Sequence, residues 1–225
     1  MSAVQLRLGH QDDIPSIIDV HLLAFGTSGA FFPDAATREA DTRAWLTTNI
    51  SATFSDPGRF YVIAVASGPD GTESIAGFAE WVAPGGADPD TPSEIRKAKA
   101  ELRRKNWPAG FDRAAMTEYG QTLGPALKAS LEKLGLPPGQ DGQMWDLNSL
   151  AVHPNHQRKG IGRRLTQWGI DRAASDGKDV LIVARTEGAP LYRSMGLEMF
   201  GEAKVFDGEY QERKEFYILR HGSRG

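Results

Sequence analysis

The sequence contains no cysteine. That absence removes disulfides, thiolate metal sites and a cysteinyl acyl-enzyme. Long apolar runs are also missing. No stretch approaches a membrane span, and the N-terminal MSAVQLRLGHQDDIP holds nothing like the apolar core of a secretory signal. The expectation is a cytoplasmic protein with no membrane partner. A large charge excess is absent too: the net charge is −3 and the pI is near 6.0. This argues against a general nucleic-acid binder. There are five histidines, and His153 and His156, the pair flanking Pro154, have no carboxylate or third ligand close in sequence. No metal site is expected. No internal repeat is present.

What the chain does have is an ordinary globular composition. It has 225 residues, 40% of them hydrophobic and 24% charged. That suits a single domain over 1–225 with room for an insertion.

The most informative stretch runs from Met144 to Trp168, MWDLNSLAVHPNHQRKGIGRRLTQW. Met144 to Val152 reads as a strand, closed by His153-Pro154. Ile161, Leu165 and Trp168 recur at helical spacing. A turn with Gly160 and Gly162 leaves the strand and opens the helix. Such a turn aims backbone N–H groups at one place, and the helix terminus adds partial positive charge there. Glycine lets an anion approach the backbone closely. Arg158, Lys159, Arg163 and Arg164 surround the same turn. The physical reading is a pyrophosphate cradle. It is not a Walker A loop, because Gly162 is followed by Arg163-Arg164, nor a dinucleotide fingerprint, because Leu165 stands where the third glycine belongs.

The flanking chain alternates strands and helices. Val4 to Leu8 is a short strand. Ile14, Ile17, Ile18, His21, Leu22 and Phe25 make one face of a helix begun by Asp12-Asp13 and Pro15, and His21 reads as packing. Phe31 and Phe32 lie in a loop before a helix over about 37–50. Arg59 to Ala66 and Ser74 to Val82 form a hairpin around Gly68-Pro69-Asp70-Gly71. On its second strand Glu80 shares a face with Phe78, and Trp81 points the other way. Residues 83–143 differ in character. Thr91-Pro92-Ser93-Glu94 reads as a capping box with proline in the first helical position. The charged helix that follows runs to about Asn106. Trp107 and Phe111 lie in a loop, and Asp112 caps a further helix with Tyr119, interrupted at Gly124-Pro125 and stopped at Gly135. Val180 to Ala184 is a buried strand, parallel to 144–152, and 200–206 with 214–219 reads as a closing hairpin.

The run LAVHPNHQRKGIGRRL resembles the acyl-coenzyme A motif of the GNAT superfamily of N-acetyltransferases, Gln/Arg-x-x-Gly-x-Gly/Ala after a strand ending Leu-Ala-Val. The segment from Gly188 to Leu197 resembles the family's Ala-x-x-hydrophobic-Tyr-x-x-x-Gly-Phe, with Leu197 in place of phenylalanine and no asparagine in the preceding Arg185-Thr186-Glu187. The resemblance implies a mixed α/β (α+β) GNAT-like sheet flanked by helices, with 83–143 a helical insertion between the third and fourth core strands that would lid the site. It implies transfer of acetyl from acetyl-CoA to a primary amine, a small molecule for preference, directly within a ternary complex in a monomer or homodimer. A protein lysine or N-terminal amine, or a non-catalytic acyl-CoA sensor, are the alternatives.

Acetyl transfer needs a neutral amine, a polarised thioester carbonyl and help for the departing thiolate. The resemblance assigns the acetyl group and pantetheine arm to the backbone of Leu150, Ala151 and Val152, beside an expected bulge. It assigns the pyrophosphate to Gln157, Arg158, Lys159, Gly160, Ile161, Gly162 and Arg163, and the acid toward sulfur to Tyr192. Period-two alternation puts Asp146, Asn148, Leu150 and Val152 on one strand face unless a bulge intervenes. Asp146 is the leading base candidate, or else a structural ion-pair partner. Glu80 is either an acceptor-ammonium ligand or an exposed strand end. Phe31, Phe32, Trp81, Trp107, Phe111 and Tyr119 are candidate acceptor walls or plain packing, and Asn148 is a candidate acceptor contact.

Overall fold

The strands of this chain carry apolar side chains on both faces, so the sheet they form must be covered twice. The computed structural model describes residues 4–68, 70–86 and 92–221. Its elements are β1 (Val4–Leu8), α1 (Ile14–Phe25), α2 (Arg38–Thr53), β2 (Arg59–Ser67), β3 (Glu73–Val82), α3 (Ser93–Lys105), α4 (Arg113–Lys133), β4 (Trp145–Val152), α5 (Ile161–Ser175), β5 (Val180–Arg185), α6 (Ala189–Arg193), β6 (Glu198–Val205) and β7 (Glu212–Leu219). The seven strands form one mixed sheet in the order β1-β2-β3-β4-β5-β7-β6. Only β4 and β5 pair in parallel, joined by the α5 crossover, and β7 slots between β5 and β6.

The α5 face is the larger core. Val62, Ala79, Trp81, Trp145, Leu147, Leu165 and Ile182 are buried there together. Full burial of a side chain such as Leu165 contributes roughly 1.5–3 kcal/mol. The helix lies against β3 with no spare room. A Cβ added at Gly169 would stand 2.1 Å from the Trp81 ring, and the Trp81 indole N–H donates to the Leu165 carbonyl at 3.2 Å.

Two separate units cover the opposite face. α1 and α2 bury Ile17, Leu46, Ile63 and Phe78 over the first half of the sheet. α4 buries Leu131 with Met144, Leu181 and Ile218 over the second half. Within residues 83–143, α4 is therefore half of a structural layer. That packing explains why α4 runs unbroken from Arg113 to Lys133 through Pro125, where the sequence suggests an interruption. One lost backbone bond at the proline is outweighed by an inner face held on β6 and β7. Asp112 caps α4 as expected, its Oδ1 accepting from the Ala114 and Ala115 amides at 2.9 Å. At α3, Pro92 occupies the cap position itself and no side chain caps the helix. Thr91 of the expected capping box, like Pro69 of the expected hairpin turn, lies outside the described residues.

Candidate active-site cleft

The cleft exists because β4 bulges. Trp81 of β3 pairs with Leu147 and Glu80 pairs with Ser149, so Asn148 is skipped. On its other side β4 pairs with β5 only from Trp145 to Leu147. Beyond that point the two parallel strands part. An extra residue in one strand twists it and ends pairing locally. The bulge also resets the alternation. Trp145 and Leu147 face α5 before it, and Leu150 and Val152 face α5 after it. Asp146 consequently lies on the opposite face from Leu150 and Val152, which corrects the shared face expected from the sequence.

A cleft of about 820 Å³ opens between the parted strands, within the usual range of small-molecule sites. Its first wall is the glycine turn. Among the described residues, no backbone N–H from Arg158 to Arg163 has a partner within the chain; the first one used is Arg164, which donates to the Gly160 carbonyl at 3.1 Å. Gly160 has φ +78 and Arg158 φ +61. The left-handed turn at Gly160 is easy for glycine and strained at Arg158. Together they form a concave row of donors capped by the α5 N-terminus, a geometry able to receive an anion. Gln157 is held by its side-chain amide, which donates to the Val152 carbonyl at 3.1 Å. Not every expected cation faces the cleft. Arg163 lines it while donating to the Ser194 hydroxyl at 2.8 Å, but Arg164 turns to the Val4 carbonyl at 2.6 Å and is not a lining residue. Lys159 turns to the Asn155 carbonyl at 2.8 Å and is not a lining residue.

The middle of the cleft is lined by Leu147 to Val152 on one side and by Ile182 to Ala184, Leu191 and Tyr192 on the other. The Tyr192 ring is nearly buried, 5.7 Å from that of Tyr217. Burial lifts its phenol well above the ordinary value, so it is a persistent hydrogen-bond donor at neutral pH. The far end emerges on the α1 face of the sheet. His21 and Phe25 of α1, Arg185 and Glu187 after β5, and Lys214 of β7 line it. His21, which the sequence marks as packing, does pack on Phe25 at 4.8 Å, and it also borders the cleft. Its pKa is pushed down to about 4 by burial and secondarily by Arg185, so the imidazole is neutral.

Other candidates are placed elsewhere. Trp81 is fully buried against α5 and lines nothing. Phe31, Phe32, Trp107 and Phe111 form an aromatic cluster with Trp45 and Tyr119. Phe111 stacks on Trp45 at 5.8 Å and contacts Trp107 at 4.5 Å, and Phe31 meets Tyr119 at 5.7 Å. This cluster fastens the 83–143 segment to α2 and the α1–α2 loop, outside the cleft lining. Glu80 is buried in an ion pair with Arg59. Asp146 lies on the same face in the row Arg59–Val82–Asp146–Leu181. It retains part of its surface, but desolvation of the carboxyl dominates and pushes its pKa up to about 6 against the attraction of Arg59. Neither carboxylate lines the cleft itself; Asp146 adjoins its wall at Leu147. Asn148, the bulged residue, is exposed within the cleft. His153 caps its own turn, its Nδ1 accepting from the Asn155 amide at 3.2 Å. Among the described residues no group of histidines and carboxylates could hold a metal. Arg185, Glu187 and Lys214 carry no sequence signal of a site; only their convergence marks them.

Known proteins share both the motif and the fold. Residues 131–198 match the sequence profile of the acetyltransferase (GNAT) domain. A protein named "Acetyltransferase" from Stachybotrys chartarum is 33% identical over 60 residues, covering 27% of this chain and 26% of that protein. The chain thus spans about a quarter of the length of that curated relative. Among solved structures, the histone acetyltransferase HPA2 and related acetyltransferase from Corynebacterium glutamicum aligns over 99% of this chain and 98% of its own, with TM-score 0.62 and 19% identity. The Drosophila melanogaster polyamine N-acetyltransferase aligns over 97% and 100%, with TM-score 0.57 and 15% identity. The putative acetyltransferase yncA from Salmonella typhimurium, solved with its cofactor acetyl-CoA, aligns over 100% and 97%, with TM-score 0.50 and 16% identity.

Proposed function

Since the described residues share the fold of solved acetyltransferases and residues 131–198 match the acetyltransferase (GNAT) domain, we propose that the protein transfers acetyl from acetyl-CoA to the primary amine of a small molecule. The observation that carries this reading is the cleft between β4 and β5. It joins a row of free N–H donors at one end, a buried phenol in the middle and a polar pocket at the other end, on the opposite face of the sheet. A donor and an acceptor entering from opposite faces would meet at the bulge, which fits direct transfer in a ternary complex.

The chemistry assigns a task to each part. The turn from Gln157 to Arg163 holds the pyrophosphate, with Arg158 as the unshared cation. The backbone beyond Asn148, freed from β5, offers donors to the thioester carbonyl as the tetrahedral oxyanion forms. The amine nitrogen attacks the carbonyl carbon, the C–S bond breaks, and the thiolate leaves toward Tyr192. Because burial lifts the phenol further above a thiol near 8.5, full proton transfer from Tyr192 is uphill. Its part is to donate a hydrogen bond to the departing sulfur. The acceptor arrives as an ammonium and must lose a proton first. Asp146, with a pKa pushed up to about 6, suits a base working near neutrality, and it reaches the cleft through a water past Asn148. Glu80, tied to Arg59, supports that carboxylate from behind.

The test is thiol release from acetyl-CoA with a panel of amines, amino acids, polyamines and lysine peptides, for wild type and Tyr192→Phe. Turnover of a small amine, reduced roughly 100-fold in the variant, is the expected result. Tight coenzyme A binding without turnover would turn the reading to a sensor, and lysine peptides as the best acceptors would turn it to a protein substrate.

A further inference from the structure

The acceptor end of the cleft has a charge arrangement that selects among amines. Arg185 and Lys214 face each other across β5 and β7. Both reach the same oxygen of one carboxylate: Arg185 Nε lies 2.5 Å and Lys214 Nζ 3.1 Å from Glu212 Oε1. Glu212 does not line the cleft, whereas both cations do. The Arg185 guanidinium is fixed from two sides, by Glu212 at Nε and by the Phe25 ring, 5.4 Å from Cζ. Its two Nη atoms have no partner among the described residues. A planar fork held at its back and open at its front is the geometry that receives a carboxylate. The other titratable groups around it are few. His21 on α1 is neutral. Tyr119 on α4, whose phenol burial pushes up to about 12, lies under Lys214 at 5.8 Å. Glu187, exposed at the rim, is the second acid of the group.

We propose that the acceptor amine carries a carboxylate, and that Arg185, backed by Lys214, binds it while the amine is presented at the Asn148 bulge. This deepens the acetyltransferase reading and rests on it. A diamine or polyamine is disfavoured by the same geometry, because its second ammonium would enter beside Arg185 and Lys214, while Glu212 lies outside the lining and Glu187 stands at the exposed rim.

The experiment compares matched acceptors, α-amino acids against their carboxamides and simple diamines, at saturating acetyl-CoA, for wild type, Arg185→Met and Arg185→Lys. A parallel calorimetric titration follows N-acetyl amino acids binding to the protein with coenzyme A present. Expected is a preference of at least tenfold in kcat/KM for the carboxylate member. Arg185→Met should lower that member roughly 10- to 100-fold more than its carboxamide, with Arg185→Lys in between, and should weaken N-acetyl amino acid binding in proportion. Equal turnover of acid and carboxamide, preferred diamines, or an Arg185→Met loss identical for both acceptors would overturn the inference and leave the acetyltransferase intact. Absence of turnover with every amine would overturn the acetyltransferase, and the inference with it.

Discussion

Replacing Asp146 with asparagine should make the protein more stable and less active, and the stability gain should grow with pH. Asp146 titrates near 6 in the fold against 3.8 for an ordinary aspartate. The fold thus prefers the protonated carboxyl. Its stabilising contribution is complete below the unfolded value and is lost as pH rises through 6. Full ionisation removes about 3 kcal/mol. Asparagine mimics the protonated form and cannot ionise. Wild type and Asp146→Asn should therefore unfold at nearly the same urea concentration at pH 4. At pH 8 the variant should be more stable by about 2–3 kcal/mol, or roughly 4–12 °C in Tm for a domain of this size. His21 acts in the opposite direction, since its lowered pKa removes stability as pH falls from about 6.5 toward 4, but it is common to both proteins and cancels. Urea melts at half-unit pH steps measure the difference directly. A variant less stable than wild type at pH 8, or a difference independent of pH, would refute the assignment of desolvation as the dominant force on Asp146. The same variant, if Asp146 takes the acceptor's proton, should lose roughly 100-fold in kcat.

Three further outcomes are expected. Gly169→Ala should cost about 1–3 kcal/mol in chemical denaturation, because its methyl would overlap the fully buried Trp81 ring; a neutral result would mean that α5 is free to shift outward. Gly160→Val should raise the Kd for coenzyme A in calorimetry several-fold, since φ +78 is poorly tolerated by a β-branched residue and the free N–H row would be displaced. Tyr192→Phe should change thermal stability by less than about 1 kcal/mol, its ring contact with Tyr217 being kept, so a fall in turnover in that variant reads the hydroxyl alone.

The β4 strand, the glycine turn and α5 are legible in the sequence because they are contiguous. A row of successive free N–H groups at a helix terminus is written in one short run, and period and punctuation suffice to find it. The hairpin at 59–82, the parallel partner at 180–184 and the closing hairpin follow from the same local rules, and the sheet contains all of them. A bulge beside the β4 strand is expected from the family resemblance, but neither its position at Asn148 nor its effect on Asp146 is encoded in the alternation that it breaks. Trp107 and Phe111 illustrate the converse: two large aromatics in a loop look alike whether they wall a site or pack, and only their rings against Trp45 and Phe32 separate the two.

The far end of the cleft is a product of long-range packing. His21, Arg185 and Lys214 come from α1, β5 and β7, far apart in the chain, and each has an ordinary local context. They converge because β7 inserts beside β5 and because α1 and α4 leave a gap over the parted strands. The row of free N–H donors is set by a single short run of residues, since it is backbone and local. What lies beside that row, and with which charges, depends on how distant segments pack, because side-chain convergence is a property of the folded core.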